Sequence, residues 1–328
     1  MPAIATGKVL LTGINGFTAM WFARGLLEAG FSVRGTVRSA AKGVHPQKYF
    51  SSFGSKLEVV VVEDITKDGA FDEAVKGVDA IVHTTSAFQL DIQDTEVIVG
   101  PAVKGVLGVL ESARKYGTKV KRIVLLSSTA AIQDQYCPTR TVFTEKDWND
   151  RIIEHLRTTT EPQEKGMVNY VASKMLSERA GWDFMERNKK DIKFDFISLN
   201  PGLILGEGLQ EVDDPQKLNT SLKIITWTDV HDLVDALIGV LTTPKAGGER
   251  FLVSGEQFAW QDWINIVRTF DSTVPEGQAN WRREDTKFNV SFDTSKVEQM
   301  LNVRYRTWRD SAKEVMDYYR AKGWWGKA

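Results

Sequence analysis

The stretch from Lys8 to Ala19 reads KVLLTGINGFTA, in which an apolar run leads into the spacing Gly13-x-x-Gly16-x-x-Ala19. An apolar run followed by spaced glycines and a helical pattern predicts a strand, a tight turn and a helix. Glycines let main-chain N–H groups approach a pyrophosphate, and the helix N-terminus adds partial positive charge. The stretch therefore predicts a dinucleotide-binding turn, with an ordinary strand–helix turn as the alternative interpretation.

Apolar runs of strand length alternate with helical segments through the first 200 residues. Most of these runs are continuous, which is typical of strands buried on both faces of a parallel sheet. The alternation predicts an α/β fold, a Rossmann-type doubly wound parallel sheet of about seven strands. The predicted strands are Lys8–Thr12, Ser32–Val37, Leu57–Glu63, Ala80–Thr84, Arg122–Ser127, Phe194–Asn200 and Glu249–Ser254. The predicted helices are Phe17–Ala29, Asp68–Val75, Val97–Tyr116, Val168–Asn188 and Thr307–Arg320, and Pro101 either kinks the third of them or lies in its first turn.

The pattern loosens beyond residue 200, where most of the ten tryptophans lie. We expect residues 1–200, with 229–255 returning to them, to form the nucleotide-binding domain. Residues 201–228 and 256–328 are expected to form a smaller substrate-binding lobe. Packing of that lobe is the expected role of the tryptophans, because no basic patch accompanies them for stacking on nucleic-acid bases.

Composition excludes several classes of function. The chain has 328 residues, with 42 basic and 43 acidic side chains and a formal net charge of -1, so nothing general attracts it to nucleic acid or anionic membranes. We see neither a secretory signal nor an apolar stretch near the roughly 20 residues that span a bilayer. The single cysteine, Cys137, favours a reducing compartment, and the four histidines show no metal-ligand spacing. We expect a cytoplasmic protein without a metal, either a monomer or a homodimer.

The end of the second predicted strand carries a cation where NAD-specific sites carry an acid. It reads Gly35-Thr36-Val37-Arg38-Ser39, and Lys42 follows. In NAD-specific sites an acidic residue about 20 positions after the first glycines binds the ribose 2′-hydroxyl. A cation suits a 2′-phosphate instead, so the sequence favours NADP, with a solvated basic loop as the alternative. Asp64, at the end of the third strand, either accepts a hydrogen bond from adenine or caps the next helix.

Tyr170 and Lys174 are four residues apart in a predicted helix and so share one face. An unperturbed tyrosine has a pKa near 10, too high for efficient proton exchange at neutral pH. A nearby lysine cation is expected to lower the pKa of the phenol. The phenol can then give a proton to a carbonyl oxygen while hydride arrives from a nicotinamide. A Tyr-x-x-x-Lys string is common by chance, so its meaning here depends on the glycine-rich turn and the serines described next.

Ser127-Ser128-Thr129 ends the fifth predicted strand. Ligands of open α/β sheets bind beyond the carboxyl ends of the strands, so a hydroxyl there can hold a substrate carbonyl oxygen. We favour Ser128 over Ser127 for that role. A serine that merely caps a turn is the alternative interpretation.

Together these residues resemble the extended short-chain dehydrogenase/reductase superfamily, in the branch of dihydroflavonol reductases, cinnamoyl-CoA reductases and fungal methylglyoxal or aldehyde reductases. The stretches that carry the resemblance are Thr12-Gly13-x-x-Gly16-Phe17, Val37-Arg38, Asp64-Ile65, Pro101–Gly105, Ser127-Ser128, Tyr170-x-x-x-Lys174, Asn200-Pro201-Gly202 and Trp227–Asp232. The resemblance implies reduction of an aldehyde or ketone by NADPH, with Ser128, Tyr170 and Lys174 as catalytic residues. It implies that NADP contacts Thr12, Gly13, Asn15, Gly16, Phe17, Arg38, Lys42, Asp64, Ile65, Thr84, Thr85, Ser86, Tyr170, Lys174, Pro201, Gly202, Leu203 and Ile204.

One loop departs from the family pattern. The fourth strand continues His83-Thr84-Thr85-Ser86-Ala87-Phe88, where the family usually has His-x-Ala-Ser-Pro. Thr85 and Ala87 replace the small residue and the proline. The resemblance places this loop between cofactor and substrate. Because the loop differs from the family pattern, the substrate of any one relative does not transfer to this chain. The polar stretch Gln133–Glu164 is expected to form part of the pocket rim.

Two other functions share some of these features. A nucleotide-sugar epimerase or dehydratase with a retained NAD would prefer NAD and need cations for its substrate, whereas the chain has Arg38 and an acidic stretch, Gly206–Asp214. A non-enzymatic, cofactor-sensing regulator would need none of Ser128, Tyr170 and Lys174. Reduction of a small carbonyl compound by NADPH is therefore the leading hypothesis.

Overall fold

Seven parallel strands form the central sheet of the computed structural model, which describes residues 3–85, 92–134, 136–211, 227–286 and 288–325. These strands are β1 (Lys8–Leu11), β2 (Ser32–Val37), β3 (Leu57–Val61), β4 (Ala80–His83), β5 (Arg122–Leu126), β7 (Asp195–Pro201) and β10 (Arg250–Val253). Their order across the sheet is β10-β7-β5-β4-β1-β2-β3. The order reverses between β1 and β4, so a ligand crevice is expected at the carboxyl ends of these two strands.

Helices cover both faces of this sheet. On one face lie α1 (Phe17–Glu28), α2 (Ala40–Tyr49) and α6 (Val230–Thr242), and on the other lie α3 (Thr95–Tyr116) and α5 (Pro162–Arg187). Most of these strands are buried from both sides, and Val9, Leu10 and Leu11 of β1 are completely inaccessible, whereas the edge strand β3 is only half-buried. Burial on both faces explains why the strands read as continuous apolar runs, and the predicted fold class is confirmed.

The remaining elements are shorter. Two small parallel pairs join β6 (Thr141–Phe143) to β11 (Val290–Phe292) and β8 (Leu203–Leu205) to β9 (Trp227–Asp229). The other helices are α4 (Ile152–Thr158), α7 (Trp260–Arg268), α8 (Ser295–Leu301) and α9 (Trp308–Ala321).

The predicted helix Asp68–Val75 is wrong, because that segment forms a series of turns. Gly69 has φ 73°, a left-handed conformation that interrupts a right-handed helix. Pro101 lies in the interior of α3, whose first turn begins six residues earlier at Thr95 and is capped by Asp94. Helix α5, which carries Tyr170 and Lys174, begins at Pro162 rather than at Val168. Proline suits a first turn because its missing N–H has no partner there.

Buried aromatic side chains pack the C-terminal part of the chain. Trp227, Phe258 and Trp308 form one cluster, and the Trp227 and Trp308 rings lie 4.0 Å apart. Thr307 caps α9 by accepting a hydrogen bond from the Asp310 amide, at the start of the helix predicted from Thr307 to Arg320. The boundaries between a nucleotide-binding domain and a substrate lobe stay a prediction.

Within the described ranges, the structure contains no helix that is both long and apolar enough to cross a membrane.

Candidate active site

The glycine-rich turn links β1 to α1 as the sequence predicts. Gly13 has φ 69°, and a Cβ atom there would lie 3.0 Å from Thr85 Oγ1, so a side chain would be both strained and crowded. The Gly16 amide donates a hydrogen bond to the Gly13 carbonyl at 2.9 Å, and α1 begins directly afterwards at Phe17. The first turn of α1 carries no acidic residue. The turn lets a ligand approach the backbone closely, and no acidic side chain offsets the partial positive charge of the helix N-terminus. The site therefore fits a pyrophosphate.

Thr12 joins this turn to the end of β4. Its fully buried Oγ1 accepts hydrogen bonds from the amides of Thr84 at 3.0 Å and Thr85 at 3.2 Å, and lies 3.2 Å from His83 Nδ1. Burial lowers the pKa of His83 to about 3, so the imidazole is neutral and its Nδ1 can accept a hydrogen bond from the Thr12 hydroxyl. The Thr12 side chain therefore orders the loop after β4.

That loop offers a polar group to the crevice. Thr85 Oγ1 is buried beside Gly13 and makes no hydrogen bond within the described part of the chain. A buried hydroxyl without a partner is costly, so a polar ligand group at this position fits the site. Ser86, Ala87 and Phe88, named from the family pattern, lie outside the described residues.

Cations stand at the end of β2. Arg38 and Lys42 are exposed, and no carboxylate among the residues that the structure describes lies within ion-pair distance of either. Their side chains thus remain available to a phosphate. This arrangement gives a structural basis for the preference for NADP that the sequence predicts. Asn15 is half-buried in the glycine turn.

Asp64 forms a turn cap. Its Oδ1 accepts hydrogen bonds from the Thr66 amide at 2.9 Å and hydroxyl at 2.7 Å, and these bonds lower the pKa of the carboxyl group. Asp64 therefore acts as a cap, which was the second of the two predicted roles, although it caps a turn rather than the expected helix. Ile65 contacts Gly105 of α3, where a Cβ atom would lie 3.0 Å from Ile65 Cδ1.

The residues expected beside the nicotinamide follow β7. Pro201 ends that strand, and the Gly202 amide donates a hydrogen bond to Thr228 Oγ1 at 2.9 Å. Leu203 and Ile204 begin β8, where Leu203 is buried and Ile204 is half-buried.

Ser128 and Tyr170 meet beyond the carboxyl end of β5. Their side chains are hydrogen-bonded to each other, and Ser128 Oγ also accepts a hydrogen bond from the Ala130 amide at 3.1 Å. Burial raises the pKa of Tyr170, and the bond with Ser128 opposes that rise only in part. The direction is opposite to the one expected from the sequence. The phenol is thus protonated at neutral pH, which is the form that can donate a proton.

Lys174 lies one turn after Tyr170 on α5. Its Nζ donates a long hydrogen bond to the Leu126 carbonyl at 3.5 Å. Burial lowers the pKa of Lys174 to about 8, while the negative charge of Glu178 opposes the shift. The ammonium is therefore retained at neutral pH but is lost in mildly alkaline solution.

The two serines after β5 face different partners. Ser127 donates a hydrogen bond to Glu178 at 2.6 Å, whereas Ser128 bonds with Tyr170. This geometry favours Ser128 as the substrate-binding hydroxyl. Sequence reasoning missed Glu178, and the available signal was its spacing of four residues from Lys174, which puts both on one face of α5.

One group of possible metal ligands lies elsewhere. Asp229, His231 and Glu314 bring one ligand atom each within 4.8 Å of one another. Asp229 caps α6 by accepting a hydrogen bond from the His231 amide, and it accepts a second from Ser311. These bonds account for the burial of Asp229, and we assign no metal to the cluster.

Residues 9–254 match the NAD dependent epimerase/dehydratase family. Ketoreductase azaE of Aspergillus niger is 33% identical to the chain, over 91% of this chain and 93% of that protein. The chain belongs to this family. The expected resemblance to extended short-chain dehydrogenase/reductases is confirmed, since dihydroflavonol 4-reductase of Hordeum vulgare is also a relative, 31% identical over 76% of this chain and 70% of that protein.

The family likeness extends to solved structures. The crystal structure of yeast methylglyoxal/isovaleraldehyde reductase Gre2 complexed with NADPH matches with a TM-score of 0.83 and 28% identity. The match covers 97% of this chain and 99% of that chain. The family fold therefore extends over nearly the whole length of the protein.

Proposed function

We propose that the chain reduces an aldehyde or ketone to the alcohol with NADPH, and that Ser128, Tyr170 and Lys174 carry out the reaction. The observation that carries this proposal is the hydrogen bond between Ser128 and Tyr170 at the carboxyl edge of the sheet. Family membership and relatives named as reductases support carbonyl reduction by NADPH.

Each catalytic side chain has a distinct task. NADPH, when bound, supplies hydride to the carbonyl carbon. Ser128 donates a hydrogen bond that orients the carbonyl oxygen, and Tyr170 transfers its phenolic proton to that oxygen, which completes the alcohol. The ammonium of Lys174 stabilises the tyrosinate that is left, because an opposite charge nearby favours the ionised form.

The cofactor would lie along the carboxyl ends of β1, β2 and β4. Gly13, Gly16 and the N-terminus of α1 would hold the pyrophosphate, and Arg38 with Lys42 the 2′-phosphate. The groups that would contact the rest of the dinucleotide are Thr12, Asn15, Phe17, Asp64, Ile65, Thr84, Thr85, Ser86, Tyr170, Lys174, Pro201, Gly202, Leu203 and Ile204.

We also propose that two parts of the chain bind different molecules. Residues 1–200 and 229–255 would bind the dinucleotide, while 201–228 and 256–328 would bind the small carbonyl compound. The single thiol, Cys137, supports a reducing compartment such as the cytoplasm.

Epimerisation of a nucleotide sugar is the other activity suggested by the family description. It would use a retained NAD, whose ribose hydroxyls are matched by an acid at the end of β2. Arg38 stands at that position. The relatives that cover more than nine-tenths of the chain include a ketoreductase and an NADPH-dependent methylglyoxal reductase. Carbonyl reduction is therefore better supported.

A panel of aldehydes and ketones tests the proposed function. The purified chain is mixed with NADPH and each compound, and the loss of NADPH absorbance is followed. We expect turnover with at least one carbonyl compound and formation of the matching alcohol. Absence of NADPH oxidation across aryl, aliphatic and α-dicarbonyl compounds would reject the proposal.

A further inference from the structure

Glu178 is a completely buried carboxylate in the helix that carries the catalytic pair. It follows Tyr170 by eight residues and Lys174 by four, so the three side chains lie along one face of α5. Burial of a carboxylate is strongly unfavourable unless it is paired and hydrogen-bonded. The surroundings of Glu178 meet that requirement.

Five side chains of the described residues donate hydrogen bonds to this carboxylate. They come from β7, β10, the residue that follows β5, and α5 itself, so Glu178 joins the helix to three neighbouring strands or strand ends. Oε1 accepts from Ser198 Oγ at 2.8 Å, Arg250 Nε at 2.6 Å and Trp182 Nε1 at 3.3 Å. Oε2 accepts from Ser127 Oγ at 2.6 Å and Asn200 Nδ2 at 2.7 Å.

Two of these donors hold the segment that bears Ser128. Ser127 is its immediate neighbour, and Asn200 donates a second hydrogen bond to the Ser128 carbonyl at 3.1 Å. The backbone on both sides of the Ser128 α-carbon is thereby tied to Glu178, directly or through Asn200. A serine held in this way presents its hydroxyl to Tyr170 in a fixed orientation.

Glu178 also contributes charge to the site. Its carboxylate favours the ammonium form of Lys174, one turn away. The other charged groups that face this region are the guanidinium of Arg250 from β10 and the carboxylate of Glu145, whose Oε1 lies 3.4 Å from the Leu252 amide. Burial and, after it, the charge of Lys174 lower the pKa of His83 of β4, so its imidazole is neutral and adds no charge to this region.

We propose that Glu178 is a positioning residue of the reduction, which holds Ser128 against Tyr170 and places a negative charge one helical turn from Lys174. This inference rests on the proposed function. It assigns Glu178 a part in turnover without contact with substrate or cofactor.

A purely structural role is the competing explanation. Arg250 donates hydrogen bonds to the carbonyls of Glu145 and Asp147, and its guanidinium lies 3.9 Å from the Trp148 ring centroid. The pair of Glu178 and Arg250 would then only fasten the segment around Trp148 to the sheet. In that case loss of the pair lowers stability but leaves the pH dependence of turnover in place.

The deciding experiment compares Glu178→Gln with Asp195→Asn. Asp195 pairs with buried Arg122 at the opposite, amino-terminal end of β7, so both variants break a buried arginine–carboxylate pair by an isosteric change. Thermal unfolding, NADPH affinity and the pH profile of kcat/KM for a carbonyl substrate at saturating NADPH are measured for both and for the wild type.

We expect both variants to unfold at lower temperature than the wild type and to retain NADPH affinity. Only Glu178→Gln should move the alkaline fall in kcat/KM to lower pH, by about one unit, because Lys174 loses its counter-charge. Glu178→Asp keeps the charge, so its alkaline fall should return toward the wild-type pH while kcat stays lower than that of the wild type. A Glu178→Gln profile that superposes on the wild type would overturn the inference.

Ser127→Ala covers the case in which Glu178→Gln yields no folded protein. It removes one donor and no charge, and we expect kcat about tenfold lower with an unchanged alkaline fall. Wild-type kcat in Ser127→Ala would overturn the positioning role. A wild-type protein without NADPH-dependent turnover would instead reject the proposed function, so the two failures are distinguishable.

Discussion

Ser128, which follows β5, and Tyr170, which lies in α5, share a hydrogen bond although 42 positions separate them in the sequence. The bond places a hydroxyl and a phenol on the same small region beyond the sheet edge. Two such donors can contact one carbonyl oxygen, one to orient it and one to protonate it. That relationship connects the fold to the proposed chemistry.

Ser128→Ala should lower kcat about 10²-fold, because the carbonyl oxygen loses a preorganised donor. The variant should bind NADPH as the wild type does. Ser112→Ala is the matched control, since Ser112 is also buried and donates a hydrogen bond to Asp72 at 2.6 Å, away from the site. Steady-state kinetics and NADPH titration of both variants check this prediction, and equal kcat values in the two would contradict it.

Turnover should fall in alkaline solution. The pKa of Lys174 is lowered to about 8, so its ammonium is present below that pH and is lost as the pH rises through it. The tyrosinate left by proton transfer then lacks its neighbouring cation. The pH profile of kcat/KM for the carbonyl substrate at saturating NADPH should therefore decline above about pH 8. A rate that stays constant to about pH 10 would contradict this role of Lys174.

Arg38→Asp should change cofactor preference. Hydrogen bonds to charged groups contribute about 1.5–3 kcal/mol each, so loss of one contact to the 2′-phosphate should cost NADPH roughly ten- to hundred-fold in kcat/KM. NADH should be affected much less, and kcat at saturating cofactor should change little because the site is remote from the hydride. Measurements with both cofactors at fixed ionic strength decide the matter. An unchanged preference in the variant would show that Arg38 is a solvated loop residue.

Thr12→Val should destabilise the protein and weaken NADPH binding together. The change keeps the side-chain shape but leaves the amides of Thr84 and Thr85 without their acceptor, at about 1–3 kcal/mol for each buried group. Thr242→Val, at an exposed helical position, is the control for the chemical change itself. Denaturant unfolding and NADPH titration are the measurements, and wild-type stability in Thr12→Val would contradict the assigned role.

The sequence was most informative where one segment decides the structure. The continuous apolar run of β1 and the glycines after it predict the strand, the turn and the helix, and all three are present. The prediction of a helix at Asp68–Val75 was wrong because the spacing of apolar residues does not reveal the backbone conformation of Gly69. The left-handed φ of Gly69 produces turns instead. Helix α2 was missed because only Gly43 and Pro46 are buried in it, so the sequence carries little apolar periodicity there.

The site was predictable to the extent that its groups follow known strand ends. A spacing within one helix and a polar strand end predict that Ser128, Tyr170 and Lys174 lie at the same sheet edge, and the structure places them there, while their catalytic roles stay a prediction. The rise in the pKa of Tyr170 was not predictable, since it depends on burial by surrounding elements. The carboxylate network of Glu178 was missed for a similar reason, because Arg250 joins it from 72 positions away.

Single-turnover reduction by Tyr170→Phe tests the central claim most directly. The phenyl ring preserves the packing of α5 and removes only the hydroxyl, so NADPH affinity should stay close to that of the wild type. General acid catalysis contributes about 10²–10⁴-fold, and we expect the rate of NADPH oxidation to fall by at least about 10²-fold. A Tyr170→Phe variant that keeps about half or more of the wild-type single-turnover rate would contradict the account.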